Sequence, residues 1–456
     1  MRGLAGLALL VGLGICITVG AAYSSPVPLG DWLSHPRASL ALAQGENPAP
    51  VVLVRPRVAP LSAMAQLGKA IFFDPSLSGS GRLSCASCHD PQNFYGPPGA
   101  LPAMMGGAHL TSQGARAVPS LMYLDHQPNF SIGLDTTAGE DDFMPVIPPP
   151  ANAPRVTKTA LDNAQSAANL VPQGGLFWDG RADTLQTQAL GPLLNPVEMD
   201  GGTIAAIAAK LKSAPYAADF TTLFGQGVFN DPQALVSEAV FAVARYEMEA
   251  PSFHPYSSKF DAWLEGKARF TPAELRGYLL FNNPAKGDCG ACHADALLPG
   301  NRPPLFTDHQ YEALGVPRNP AIALNRNPAY FDLGLCGPYR TDMAAQTRFC
   351  GMFLTPTLRN VATRKVFFHN GAYHTLQQVL DFYDFRDTEP AKIYPIGPEG
   401  RVEKFNDLPQ RYRANVDRID PPLNRHKGEA PAMSRQDEAD IIAFLNTLTD
   451  GYVPRS

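Results

Sequence analysis

Apolar residues return at helical spacing in four well-bounded stretches of the chain. Met64, Leu67, Gly68, Ile71 and Phe72 share one face, and Asp74-Pro75 stops the helix they predict. Asp231-Pro232 opens a second helix that runs to about Glu249, where Ala250-Pro251-Ser252 breaks it. Thr271-Pro272-Ala273-Glu274 has the form of a capping box with proline in the first helical position, and Leu275, Tyr278, Leu279 and Phe281 carry the stripe onward. The last helix is capped by Ser434 with Asp437 three residues on, and Ile441, Ile442, Phe444, Leu445 and Leu448 form its buried face.

Two of these stretches repeat one another. Gly68-x-x-Ile71-Phe72 and Gly277-x-x-Leu280-Phe281 each place a glycine on a helix, and each is followed by a short loop and then Cys-x-x-Cys-His. The pattern predicts an internal duplication of a small helical module. The expected fold is mainly α, with two cytochrome c-like domains joined by long irregular loops. Residues 1–22 read as a signal peptide, 23–55 as a Pro-, Ser- and Ala-rich linker, 56–250 as the first domain and 251–456 as the second. Residues 125–172 read as an irregular insertion, a surface excursion or docking loop, with acidic Glu140-Asp141-Asp142 and the run Pro148-Pro149-Pro150.

Composition supports this division. A chain of 456 residues exceeds what one core usually organises, and 45% hydrophobic with 17% charged residues is the balance of folded protein. The net charge of -5 leaves no electrostatic case for nucleic acid. Arg2, the uncharged apolar run Leu4 to Val19 and the small pair Ala21-Ala22 form an export signal, which implies a periplasmic protein; an uncleaved anchor is the alternative, and nothing else in the sequence is built to cross a membrane.

Cysteine spacing brings in the chemistry. Four of the seven cysteines fall in Cys85-Ala86-Ser87-Cys88-His89 and Cys289-Gly290-Ala291-Cys292-His293. That spacing lets two thiols add to the two vinyl groups on one porphyrin edge while the adjacent histidine turns under the ring to ligate iron. Zinc or a redox dithiol is the competing interpretation, but both copies carry the immediate histidine after a helix of the same kind. Two covalently bound haem c groups are therefore expected, held by Cys85, Cys88, Cys289 and Cys292 with His89 and His293 as proximal ligands. Cys336 and Cys350 are placed to close a disulfide in an oxidising compartment.

Flanking residues resemble the bacterial di-haem cytochrome c peroxidases over nearly the whole mature chain. Leu67-Gly68-Lys69, Phe73-Asp74-Pro75 and Leu83-Ser84 precede the first haem motif, and Asp90-Pro91 follows it. Trp178-Asp179-Gly180-Arg181, Gln188, Pro192 and Pro196-Val197-Glu198-Met199 come next in order. Phe306-Thr307-Asp308, Gly315-Val316-Pro317-Arg318-Asn319, Thr355-Pro356-Thr357-Leu358-Arg359-Asn360, His369-Asn370-Gly371 and Thr375-Leu376 complete the match. The resemblance implies that Glu198 is the distal acid/base for splitting the peroxide O–O bond, with Gln188 beside it. Trp178 would then be the ring between the haems, where core packing is its other role.

Family position also bears on the remaining iron ligands. Eight residues after Thr375 the family's small-cytochrome peroxidases carry a methionine ligand; here that residue is Tyr383, as in the MauG/MbnH-like branch, with Met433 and Met352 as rival ligands. A phenolate is a hard donor that favours Fe(III) and higher states, whereas a thioether raises the potential. His109 stands at the spacing of a histidine that caps the first haem in some members, so it either ligates or lines the cavity. Calcium is possible but not supported at the family positions, where Ala117 and Val366 replace the expected ligands. The resemblance thus implies a peroxidase that uses hydrogen peroxide to reach a high-valent di-haem state and oxidises a secreted protein. The alternatives are a cytochrome c peroxidase with a small redox cytochrome as donor, and a non-enzymatic electron carrier.

Overall fold

The structure, a computed structural model, describes residues 36–134 and 170–454; the export segment, the acidic triplet and the proline run lie outside them. The helices in chain order are α1 (Pro36–Ala43), α2 (Ala63–Phe72), α3 (Cys85–Cys88), α4 (Leu185–Leu194), α5 (Ile204–Lys212), α6 (Ala217–Phe224), α7 (Pro232–Glu249), α8 (Lys259–Leu264), α9 (Pro272–Phe281), α10 (Leu376–Phe385) and α11 (Arg435–Asn446). Strands among the described residues form three two-stranded antiparallel ladders. Met105–Gly106 (β1) pairs with Ser112–Gln113 (β2), Ser131–Leu134 (β3) with Leu170–Gln173 (β4), and Tyr311–Glu312 (β5) with Phe353–Leu354 (β6). The architecture is mainly α, with long connecting loops.

Local signals explain the helix ends. The Ser62 side chain accepts from the Ala65 N–H to start α2, and Asp231 caps α7 ahead of Pro232. Thr271 with Glu274 and Ser434 with Asp437 form reciprocal capping boxes on α9 and α11.

Two hydrophobic cores follow the chain. Leu67, Phe72, Ile207, Leu211, Phe220, Leu235 and Ala242 belong to the first; Phe260, Trp263, Tyr278, Phe281, Phe306 and Phe444 belong to the second. Each is built around one helix crossing, α2 over α7 and α9 over α11, and each crossing point is a glycine. A Cβ on Gly68 would lie 1.8 Å from the Ala242 carbonyl oxygen, and one on Gly277 would lie 1.9 Å from that of Asp440. No side chain fits either gap, so the repeated glycine of the sequence is the repeated contact of two helix backbones.

Two expectations change. Within the supposed linker 23–55, residues 36–43 form α1, and Leu42 and Leu53 are buried in the second core. Trp263 Nε1 donates to Gly45 O at 2.9 Å, and the Asn47 amide donates to Leu264 O at 3.0 Å. The described part of this segment is therefore a strap on the second core, not a bare connection. The insertion is also not irregular to its base, because β3 and β4 clamp its two ends in register from Ser131↔Gln173 to Leu134↔Leu170.

The halves meet through buried polar contacts. Arg359 and Asp261, both with fully buried side chains, form a two-pronged pair at 2.9 and 2.8 Å within the second half. The Arg359 guanidinium lies 5.1 Å from the ring centre of Tyr123 of the first half, whose hydroxyl bonds to Asp450 near the chain's end. Substituting Gly68 or Gly277 by alanine should destabilise the haem-loaded protein by about 3 kcal/mol or more through overpacking. Alanine at Gly99, where a Cβ meets nothing within 4 Å, should be near neutral, with thermal unfolding as the measurement.

Candidate active site

Each Cys-x-x-Cys-His segment borders a cavity. Cys85, Cys88 and His89 line one of about 150 Å³, and Cys289, Cys292 and His293 line another of about 290 Å³. Ser84 N–H donates to Ser87 Oγ at 3.0 Å, fixing the turn that carries the first pair of thiols. His89 Nδ1 lies 3.1 Å from Tyr95 O and His293 Nδ1 lies 3.0 Å from Phe306 O. A carbonyl only accepts, so in each ring Nδ1 holds the hydrogen and Nε2 keeps its lone pair for a metal. Burial pushes both imidazoles down to about 4, which keeps them in the neutral, ligating form at physiological pH. Two thiols at one edge and one imidazole lone pair form the donor set a c-type haem requires, so the residues at both cavities fit that group.

Glu198 and Gln188 reach the first cavity from one stretch of chain. Gln188 is a buried residue of α4, which is capped by Thr184 and ends at Asn195; Asn195 Oδ1 accepts from the Val197 N–H at 3.1 Å and so shapes the turn to Glu198. Gly106 of β1 packs flat against that turn, where a Cβ would lie 2.4 Å from both the Val197 and Glu198 carbonyl oxygens. Burial raises the Glu198 carboxyl above the usual range, although Arg181, Asn195 and Arg116 oppose it. Trp178 lines both cavities, and its Nε1 donates to Ala117 O at 2.8 Å. The structure thus brings Glu198, Gln188 and Trp178 together, with Trp178 and Gln188 shared by the two cavities.

What holds Trp178 was not apparent from the sequence. Its neighbour Asp179 is completely buried and takes Arg116 Nη1 at 2.7 Å and Arg181 Nη1 at 2.9 Å. The other side of Arg116 pairs with Asp332 at 2.7 and 2.8 Å, and Arg340 Nη1 donates to the Asp179 and Gly180 carbonyls at 3.0 Å. Gly180 has φ +63, and a Cβ there would lie 2.0 Å from the Tyr311 hydroxyl, so this turn needs glycine twice over. The only prior signal was the acid–base alternation Asp179-Gly180-Arg181, which equally describes a solvated turn.

In the second cavity Thr375 caps α10, and two turns later Tyr383 faces the space with Met433. Burial raises the Tyr383 hydroxyl well above its ordinary value, so without a cation it is a neutral phenol. Met352 sits instead in a small cluster with Tyr311, Leu335 and Phe349. His109 lines neither cavity. Gly106 pairs with Ser112 in the β1–β2 ladder, so His109 falls in the turn between the strands, where it is exposed. Cys336 and Cys350 are joined by a disulfide with a Cα–Cα distance of 5.0 Å. At the calcium positions the Ala117 carbonyl is taken by Trp178 and Val366 is buried.

Among the described residues, one acid in the first cavity has no ionic partner. Glu247 of α7 is buried, its Oε2 meets no hydrogen-bond donor, and burial pushes its carboxyl up to about 8. Unfolding lets it ionise near its ordinary 4.5, so between those pH values stability falls as pH rises. Glu247→Gln should be more stable than the parent by up to roughly 3 kcal/mol near pH 7, with the difference closing at about pH 4, in denaturant titrations of the haem-loaded protein.

Similar chains are known. A family model described as di-haem cytochrome c peroxidase matches residues 62–269. The methylamine utilization protein MauG of Paracoccus denitrificans is 32% identical over 85% of this chain and 89% of its own. Cytochrome c551 peroxidase of Nitrosomonas europaea is 29% identical over 75% of this chain and 77% of its own. The crystal structure of the diheme peroxidase BthA from Burkholderia thailandensis superposes with a TM-score of 0.72 at 36% identity, covering 89% of this chain and 91% of that one. With relatives of this kind along most of its length and two cavities that fit haem, the chain belongs to the di-haem cytochrome c peroxidase family and is a peroxidase.

Proposed function

We propose that the chain carries two covalent haems, consumes hydrogen peroxide at the first cavity and delivers both oxidising equivalents to a side chain of a secreted protein. The observation that carries this reading is Tyr383 facing the second cavity from two turns inside α10. A structure of a tyrosine-to-methionine variant of BthA matches this chain at 37% identity, which fits a tyrosine of consequence in that relative.

Haem held at the two cavities would supply the electrons that cleave the O–O bond. The chain's own groups handle protons and position. Glu198, in its carboxylate form, takes the proton from one peroxide oxygen and returns it to the other, which departs as water. Gln188, neutral and buried beside it, orients peroxide without adding charge. Trp178, wedged between the cavities and held by Ala117 O, gives an oxidisable ring for electron transfer between them. Tyr383 would ligate the second iron as a phenolate, a hard donor that would favour oxidised states and suit the second site to storing oxidising power. His89 and His293 would ligate the irons of haems attached through Cys85 and Cys88 and through Cys289 and Cys292. The Cys336–Cys350 disulfide suits a periplasmic location.

A second reading, peroxide detoxification with a small cytochrome as donor, rests on Met433, whose thioether lines the same cavity and would raise the potential. Tyr383→Phe decides between them. It should remove the phenolate features of the ferric absorption spectrum while Met433→Leu leaves them; a parent without phenolate features, whose spectrum changes in Met433→Leu and not in Tyr383→Phe, would favour the cytochrome-dependent reading.

Glu198→Gln should slow the reaction with peroxide by about 10²- to 10⁴-fold in stopped-flow measurements. The raised carboxyl also sets a sign. In the parent the rate should fall on acidification at a higher pH than an ordinary carboxylate would give, and this inflection should vanish in the variant.

A further inference from the structure

Buried arginines in this protein come with carboxylates. Arg116 has Asp179 and Asp332, Arg359 has Asp261, Arg318 has Asp407 and Arg386 has Asp387. Arg364 departs from this pattern. It leaves the short 3-10 turn Val361–Thr363 of the second half and reaches into the first, where Nη2 donates to Val118 O at 2.9 Å. Its Nη1 stands 3.7 Å from the Cβ position of Gly96, and its charge is felt at His89. Among the described residues it meets no carboxylate, and its side chain lines the larger cavity together with His293 and Tyr383.

A half-buried guanidinium that faces a cavity with one carbonyl for company is poorly compensated, and such a site favours an anion in the cavity. That anion must be small, planar and able to enter the cavity, and a carboxylate matches the guanidinium fork. We propose that Arg364 pairs with a propionate carboxylate of the haem held by Cys289, Cys292 and His293. The assignment rests on the di-haem reading above. It gives the residue a definite role: the cation is supplied by one half, anchored on the backbone of the other and neutralised only when the cofactor is seated. A neutralised propionate also leaves less negative charge near the iron, which makes that haem easier to reduce.

Reduction potentials test this. Arg364→Gln keeps a donor for Val118 O and loses the charge; Arg364→Lys keeps the charge. With two haems per chain in every preparation, the Gln variant should shift the haem held by Cys289, Cys292 and His293 to a more negative potential, and the Lys variant should recover most of the shift. Unchanged potentials in a folded, fully loaded Gln variant would overturn the proposal and leave Arg364 a structural tie. A wild-type potential that moves with added acetate, in a way the Gln variant does not, would assign the site to a dissolved carboxylate and also overturn it. Should the Gln variant not fold, redox infrared difference spectra of wild-type protein carrying ¹³C-labelled propionates serve instead. Labelled carboxylate bands of a guanidinium-paired group are expected, and unpaired bands would refute the pairing. Fewer than two haems in the wild type would fail the di-haem reading itself, which separates that failure from this one.

Discussion

In both halves of the chain a pair of helices touches backbone to backbone, and the cavities depend on that contact. Gly68 lets α2 settle on the Ala242 carbonyl, and Gly277 lets α9 settle on that of Asp440. A methyl group at either place would push the helices apart by more than a close-packed interior tolerates. The motif-bearing turns follow α2 and α9 after short loops, so the approach of the helices constrains where the thiols and imidazoles enter. The acid in the first cavity inherits the same geometry, because α7 is both the partner of Gly68 and the bearer of Glu247.

Between the cavities a different force takes over. Trp178 is held less by apolar packing than by charge: Asp179 beside it is clasped by Arg116 and Arg181, and Arg116 is clasped in turn by Asp332. Such a network is rigid when complete and expensive when broken. It suits a ring whose distance and angle to two cofactors must not drift, and it places positive charge next to Glu198, where it tempers the rise that burial imposes on that carboxyl.

Much of this was legible in the sequence because its causes are local. Caps at Asp231, Thr271 and Ser434, the break at Ala250-Pro251 and the repeated glycine all act within a few residues of themselves. What stayed hidden depends on partners far along the chain. Arg364 and Lys365 are adjacent bases, yet Lys365 is exposed and Arg364 lines a cavity. Met433 and Met352 read alike until the fold sends one to the second cavity and the other to a separate cluster. His109 had suggestive spacing, but a two-residue ladder turned it outward. The strap has no signature in the sequence, because single buried leucines at positions 42 and 53 leave no periodic trace.

The loop closed by Cys336 and Cys350 belongs to the second half, yet it delivers Tyr339 to the wall of the first cavity, 38% exposed and 4.9 Å from the Arg116 guanidinium. A duplicated module normally keeps its own boundaries. Here a loop of the second half forms part of the first cavity's wall, so that cavity is the joint product of both halves.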